Sequence, residues 1–578
     1  MPKISRRNLL KAAAAGSAAA AFGLATRGTG IGSLVAAAPA RRGPDESAPW
    51  FEASIPDIQA LMTSGELTSR ELTQAYLRRI DHLNPLLGAV IETNAQAVGI
   101  AARLDGERHS GRVRGPLHGI PVLVKDNIAT DDAMETTAGS LALVGTRVPA
   151  DALLIANLRR AGAVILGKAN LSEWANFRGI PPADFPFATN FLNGWSARGG
   201  FTFDPYLLSF DPCGSSTGSA VAPAANMCAA AIGTETDGSI VCPAGNNMVV
   251  GLKPTVGLIS QSGIIPIAHS QDSAGPIGRS VTDVAVLLNV LKSPWGPVAG
   301  HALPADYTLF LDRNALQGAR IGIERRLFEP QYNALPEIIA VIEDAIAALA
   351  AAGATIVDPV DTGDVNAFGQ AEFTVLLYEF KGDVAAYLSR LRFERGDKAM
   401  RSLADLIAFD REHCHEEMKF FGQEIFELAE LSGNLSDMDY INARNLCLQL
   451  GRDQGIDRVM AENDLDAVLL PSYTFGSSAP AVAGYPIISV PVGLAADGKP
   501  VGAWIYAGFL QEPKLISIAY AMEQLLQARS QPQFAGSVPA DPPDAGLCQV
   551  PQPAADRRGR GRPEMAMHLG TGRPFLTH

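Results

Sequence analysis

Cysteine is scarce in this chain. There are six in 578 residues, Cys213, Cys228, Cys242, Cys414, Cys447 and Cys548, with no CxxC pair. That excludes a disulfide-built scaffold, and the spacing fits no zinc site. His413-Cys414-His415 is compact, but it lies in a charged, helix-patterned stretch and is read as structural rather than as a ligand group. Histidine is scarce too, with nine residues, so the usual partner of a nucleophilic serine has few candidates. His118 precedes an apolar run and His269 sits in a polar loop; both read as structural. An excess of positive charge is lacking: 47 Lys and Arg against 60 Asp and Glu give a net −13. Such a balance excludes whole-chain affinity for nucleic acid. With 47% hydrophobic and 19% charged residues, what remains is a globular chain with a large core.

The first 40 residues stand apart. Ser5–Lys11 carries Arg6-Arg7, an Ala-rich apolar run extends to Ala25, and Ala36–Ala40 offers a small-residue cleavage region. This is the layout of an export signal, and the paired arginines resemble the twin-arginine type, with Leu9 where Phe is commoner. The apolar segment is too short and Ala-rich for a stable membrane span. The expectation is an exported protein, periplasmic or secreted. Residues 41–49 read as a polar linker, 50–529 as the globular domain and 530–578, rich in Pro, Gly and Arg, as a disordered tail. The cluster Arg557, Arg558, Arg560 and Arg562 in that tail reads as solvated.

Within the globular part, helix and strand patterns alternate. Thr68 and Glu71 have capping-box spacing ahead of a helical run. Ile120–Val124 is a strand-like run ending in Lys125, Leu153–Leu158 a helix and Ala163–Leu166 a buried strand. Ala220–Ala231 reads as one buried helix, with Pro223 tolerable only in a first turn. Residues 320–357 read strand–helix–strand, 366–458 as mostly helical, and strand signals return at Ala467–Leu470, Ile487–Val490 and Gly502–Tyr506 before a helix near Lys514–Gln527. This order predicts an α/β layer fold.

Gly162–Lys168 fits the first seven positions of a phosphate loop, but Ala169 stands where the magnesium-binding hydroxyl belongs and the intervening residues form a strand. Nucleotide binding is excluded there. The more telling stretch is Cys213–Ser219, CGSSTGS, placed directly before the Ala-rich helix. A second small-residue loop, Ala231–Val241, follows it. Two serine-bearing loops flanking one buried helix suggest a site. Lys125 then becomes notable, because a lysine in a dry site loses proton affinity and can act as a base.

GIPVLVKDN at Gly119–Asn127, GSSTGS at Gly214–Ser219, GTETDGSIVCPAG at Gly233–Gly245, GLKPTVGLIS at Gly251–Ser260 and AGYPIISVPVG at Ala483–Gly493 occur in that order. In this the chain resembles the amidase signature enzymes from about Ile55 to Arg529. GWSARGG at Gly194–Gly200 and the Asp237–Val241 variant make it most similar to bacterial peptide amidases. The resemblance implies a single α/β domain with one mixed sheet covered by helices. It also implies a Ser-Ser-Lys triad: Ser239 as nucleophile, Ser215 as bridging serine after a cis peptide bond, and Lys125 as ultimate base. The oxyanion hole is expected from the amides of Thr236, Asp237, Gly238 and Ser239. Ser216 and Ser219 are expected to be loop hydrogen-bonders. No metal and no cofactor are called for. Many relatives carry Gly and Arg where Asp237 and Val241 stand, which bears on substrate preference. The implied activity is hydrolysis of a carboxamide, a peptide's C-terminal amide in particular. Alternatives are a general acylamidase on small aryl or aliphatic amides, an amidotransferase subunit, and an exported binding protein with a dead site. Specificity is expected to come from 366–458 and from the loops of Leu171–Leu208.

Overall fold

The structure, a computed structural model, describes residues 43–180, 193–393 and 399–549. The expected signal segment 1–40, residues 181–192 of the Leu171–Leu208 loops, and the Arg557–Arg562 cluster lie outside the described residues.

One mixed sheet organises the chain. Its strands are β1 (Val90–Thr93), β2 (Pro121–Lys125), β3 (Val164–Ala169), β4 (Ala230–Glu235), β5 (Val250–Lys253), β6 (Ser273–Gly278), β7 (Arg320–Glu324), β8 (Thr355–Val360), β9 (Ala467–Pro471), β10 (Ile487–Leu494) and β11 (Pro500–Tyr506). They lie in the order β1-β3-β2-β4-β6-β5-β10-β11-β9-β7-β8. β2 runs parallel to both β3 and β4, whereas β6 is antiparallel to β4 and β5. Parallel strands must be covered on both faces, which is why β2, β3 and β4 are buried at every position. The helices used below are α1 (Ser69–Leu87), α2 (Leu153–Arg160), α3 (Thr217–Ala224), α4 (Val241–Asn246), α5 (Pro336–Ala351), α6 (Gly369–Leu388) and α7 (Glu512–Leu526).

Helix α1 starts as its sequence dictates. The Thr68 hydroxyl accepts from Glu71 N, and the Glu71 carboxylate accepts from Thr68 N. Leu72, Tyr76, Ile80 and Leu83 then bury one face. Arg79 shares that face, and its guanidinium donates to the carbonyls of Ala225, Asn226 and Pro44. That last bond ties residues 43–49 of the expected linker to the domain. α2, α5 and α7 fall where the periodicity places them.

Ala220–Ala231 is not one helix. α3 ends at Ala224, and Asn226 takes the left-handed conformation (φ 54°) that closes it, with Met227 N donating back to Ala222 O. Ala230 and Ala231 instead belong to strand β4, where small apolar side chains fit between two flanking strands. Pro223 sits in the last turn of α3, not the first. The segment from Ser530 to Gln549 also departs from the expected disorder. Phe534 N and Ala535 N donate to Pro205 O and Tyr206 O, Leu208 N donates to Ala535 O, and Cys548 is disulfide-bonded to Cys414. Its composition cannot build a core, yet main-chain bonds and one covalent link hold it against the domain. The Cys414 thiol is thereby committed, and the ring of His413 stacks on Phe409.

Candidate active site

Strand β2 ends in Lys125, and the parallel neighbour β4 ends in Thr234-Glu235. The site thus forms at the carboxyl ends of parallel strands, where loops can converge without breaking the sheet. Lys125 is fully buried, and its Nζ lies 2.8 Å from Ser215 Oγ, 3.0 Å from Ser216 Oγ, 3.0 Å from Thr234 Oγ1 and 3.1 Å from Thr234 O. Burial pushes its ammonium down from 10.5 to about 7, against the opposing pull of Glu235 and Asp272. A residue with the charge of a surface lysine in sequence is therefore close to half neutral at neutral pH.

The CGSSTGS stretch is buried at every residue. The Gly214–Ser215 peptide is cis, as the resemblance implied. A Cβ on Gly214 would run into Ser172 Oγ, and one on Gly218 into the carbonyls of Ala89 and Asn170. These glycines are there for close approach, not for flexibility. Ser216 is more than a loop residue. Its hydroxyl donates to Thr234 O (2.9 Å) and accepts from Thr234 N (3.2 Å). Ser219 Oγ donates to Ile232 O.

Residues 236–239 form the turn between β4 and α4. The buried Glu235 carboxylate accepts from Ile240 N (2.7 Å) and Val241 N (3.0 Å), folding the chain back over strand β4. Gly238 takes φ 76°, a conformation that favours glycine, and its carbonyl accepts from Cys242 N. Thr236 Oγ1 donates to Asp272 (2.6 Å), and the Asp237 carboxylate accepts from the hydroxyls of Ser477 (2.5 Å) and Ser478 (2.7 Å). Asp237 thus ties the turn to the 475–483 segment. Ser239, 8% exposed, retains an opening to solvent. The two serine loops meet through Ser216 N, which donates to Ser239 O at 3.1 Å. The structure joins Lys125 to Ser215 by a side-chain bond and the Ser215 loop to Ser239 by a main-chain one.

A small cleft opens beside this cluster, lined by Asn127, Thr234, Thr236, Ala175, Ile265 and Ile267. Trp174 and Ala175 on its wall, and Asn176 after them, hold three successive left-handed conformations (φ 49°, 55° and 68°). Just before and after them, buried Glu173 pairs with buried Arg178 at 2.7 Å, and the Arg178 guanidinium lies 4.1 Å from the centre of the Phe421 ring.

Sequence reasoning missed Thr234, Asn127 and Asp272. The Thr234 hydroxyl accepts from Asn127 Nδ2 and lies 3.0 Å from Lys125 Nζ, and Asp272 is raised to about 7 by burial. Thr234 lies inside the Gly233–Gly245 motif, so its position was visible while its role was not. The two histidines are placed elsewhere: His118 Nε2 bonds to Leu104 O and His269 to Asp383.

An amidase family model matches residues 71–481. The chain belongs to the amidase family. A twin-arginine signal model matches residues 3–23. A probable amidase of Arabidopsis thaliana is 40% identical over 84% of this chain and 92% of that protein. One subunit of the glutamyl-tRNA(Gln) amidotransferase of a Synechococcus species is 32% identical over 83% of the chain and 97% of its own length. Among solved structures, the peptide amidase of Stenotrophomonas maltophilia is 48% identical, with a TM-score of 0.77 over 84% of this chain and all of that one. As an amidase, this chain has the single-domain mixed-sheet fold that the motifs implied. No helix among the described residues is long and apolar enough to cross a membrane.

Proposed function

We propose that this amidase hydrolyses a carboxamide, the C-terminal amide of a peptide in particular, through an acyl-enzyme on Ser239. The observation that carries the reading is the 2.8 Å contact between a water-excluded Lys125 and Ser215. Neutral lysine has two N–H donors and one lone pair. Ser216 gives its own proton to Thr234 O, so towards Lys125 its oxygen only accepts. Thr234 O, within reach of the same amine, is likewise an acceptor only. With both N–H groups directed to these oxygens, the lone pair faces two hydroxyls: Thr234 Oγ1, which also accepts from Asn127 Nδ2, and Ser215, which at the shorter 2.8 Å is assigned as the donor to Nζ. Ser215 can then take the Ser239 proton as Ser239 attacks the amide carbonyl. The proton returns along the same path to the leaving nitrogen, which departs as ammonia or amine, and water hydrolyses the ester. The amides of Thr236, Asp237, Gly238 and Ser239, in the turn braced by Glu235, are the proposed oxyanion donors.

The peptide amide substrate is supported by the 48% identity to a peptide amidase. The twin-arginine match and the disulfides support export to an oxidising compartment, periplasmic or extracellular. Ser239→Ala tests the nucleophile. Ammonia release from a peptide amide is expected to fall by about 10⁴-fold or more with the circular dichroism spectrum unchanged. Turnover within tenfold of wild type would refute the assignment.

A further inference from the structure

The disulfide Cys213–Cys242, with a sequence separation of 29, closes a loop that contains both proposed serines. Cys213 directly precedes the Gly214–Ser215 peptide, and Cys242 lies in the first turn of α4, three residues after Ser239. The bond therefore joins the segment entering the bridging-serine loop to the helix leaving the nucleophile turn. Two further tethers run between the same two segments, and a third bond braces the first of them. Asn246 Nδ2 donates to Asp211 O at 2.9 Å, Asn247 Nδ2 donates to Pro212 O at 2.9 Å, and the Asp211 carboxylate accepts from Cys213 N at 2.8 Å to hold the turn itself. Cys213 sits at φ 55°, a left-handed conformation that an unbranched non-glycine side chain adopts only under constraint from its surroundings. Both sulfurs belong to fully buried residues.

We propose that the Cys213–Cys242 disulfide is a positioning element for catalysis, a clamp that fixes Ser215 against Ser239. It rests on the Ser239–Ser215–Lys125 reading above. Neither cysteine touches substrate in this scheme; the bond acts by holding two loops in register. A misplacement of about 1 Å between reacting groups costs on the order of 100-fold in rate. The other disulfide, Cys414–Cys548, fastens the C-terminal segment far along the chain from both serines and has no such role. The amidase therefore reaches full activity only once Cys213 and Cys242 are oxidised.

The test compares Cys213→Ala/Cys242→Val, which fills the space with apolar groups, with Cys414→Ser/Cys548→Ser. Steady-state kinetics on a peptide amide are read together with the rate of fluorophosphonate labelling of Ser239. The clamp variant is expected to lose about 100-fold in kcat with KM within about threefold, and to label correspondingly slowly. The Cys414/Cys548 variant keeps wild-type kcat. A clamp variant with kcat within twofold of wild type overturns the proposal. Should the clamp variant fail to fold, the wild-type protein decides. A preparation partly reduced by a dithiol, which becomes oxidised as the cystine becomes two thiols, is labelled briefly and its peptides are sorted by mass. Labelling confined to molecules with the 213–242 bond intact supports the clamp, and equal labelling of reduced molecules overturns it. If Ser239→Ala were still active, the catalytic reading itself would fail, which is a separate outcome from an active cysteine variant.

Discussion

Titrating the amidase from about pH 5 to about pH 9 probes Lys125 directly. Its burial holds the ammonium at about 7 instead of 10.5, so the base is neutral above that value and protonated below it. The logarithm of kcat/KM should rise with unit slope up to about pH 7 and then level, leaving activity near pH 5 roughly 100-fold below the plateau. Asp272 titrates at about 7 as well, so one profile does not separate the two groups. Asp272→Asn does. The carboxylate of Asp272 supports the Lys125 ammonium, and removing that charge lowers the lysine further. The acid limb should then persist and move to lower pH; if Asp272 were the group responsible, the limb would vanish. The same shift affects stability. Below about pH 7 both folded and unfolded states carry the Lys125 proton, and the penalty of burying it is full. Between about 7 and 10.5 the unfolded chain binds the extra proton, so stability rises with pH across this window, by about 5 kcal/mol for this group. Lys125→Met should abolish turnover and remove that increment, read as the wild type minus variant difference in urea unfolding. A kcat/KM profile flat from about pH 5 to 8 would sink the assignment of Lys125 as base.

Two further predictions concern the frame. Gly218→Ala forces a methyl into the carbonyls of Ala89 and Asn170 and should destabilise by about 1–3 kcal/mol or more, read in thermal unfolding; an unchanged melting temperature would mean the helix start can shift. Burial and the neighbouring Glu417 hold the Glu173 carboxyl well above the usual carboxylate range, so Arg178→Met should cost about 1–3 kcal/mol in urea unfolding by leaving buried polar groups unpaired, whereas a loss of about 5 kcal/mol would show an ionised Glu173 left without its cation.

Much of this was legible in the sequence, for physical reasons that vary by element. The capping box at Thr68 and Glu71 fixed a helix start because both donors are met locally. Strand β2 was legible because a run buried on both faces is continuously apolar, with Lys125 at its end as the anomaly. The Ala220–Ala231 stretch was misread because alanine composition speaks for helix while the deciding residue, Asn226, acts through one backbone angle. Thr234 and Asp272 escaped because their roles come from pairings across the sheet, and only strand order brings them to Lys125 and Thr236. The cysteine pairs escaped for the same reason: scarcity excluded a scaffold but said nothing about which distant sulfurs meet.

The adjacency of β2 and β4 has a consequence for how such a protein can diversify. Val124 faces Ile232 and Leu123 faces Ala231 in the parallel ladder, so the spacing of Lys125 from Thr234 is set by main-chain register rather than by any loop. A one-residue slip would turn every side chain of the strand to its other face and take Lys125 away from Thr234. The cleft wall, by contrast, is built from connecting segments such as 173–178 and 264–267. New amide substrates can therefore be explored by rewriting those connections while the sheet keeps Lys125 and Thr234 in place.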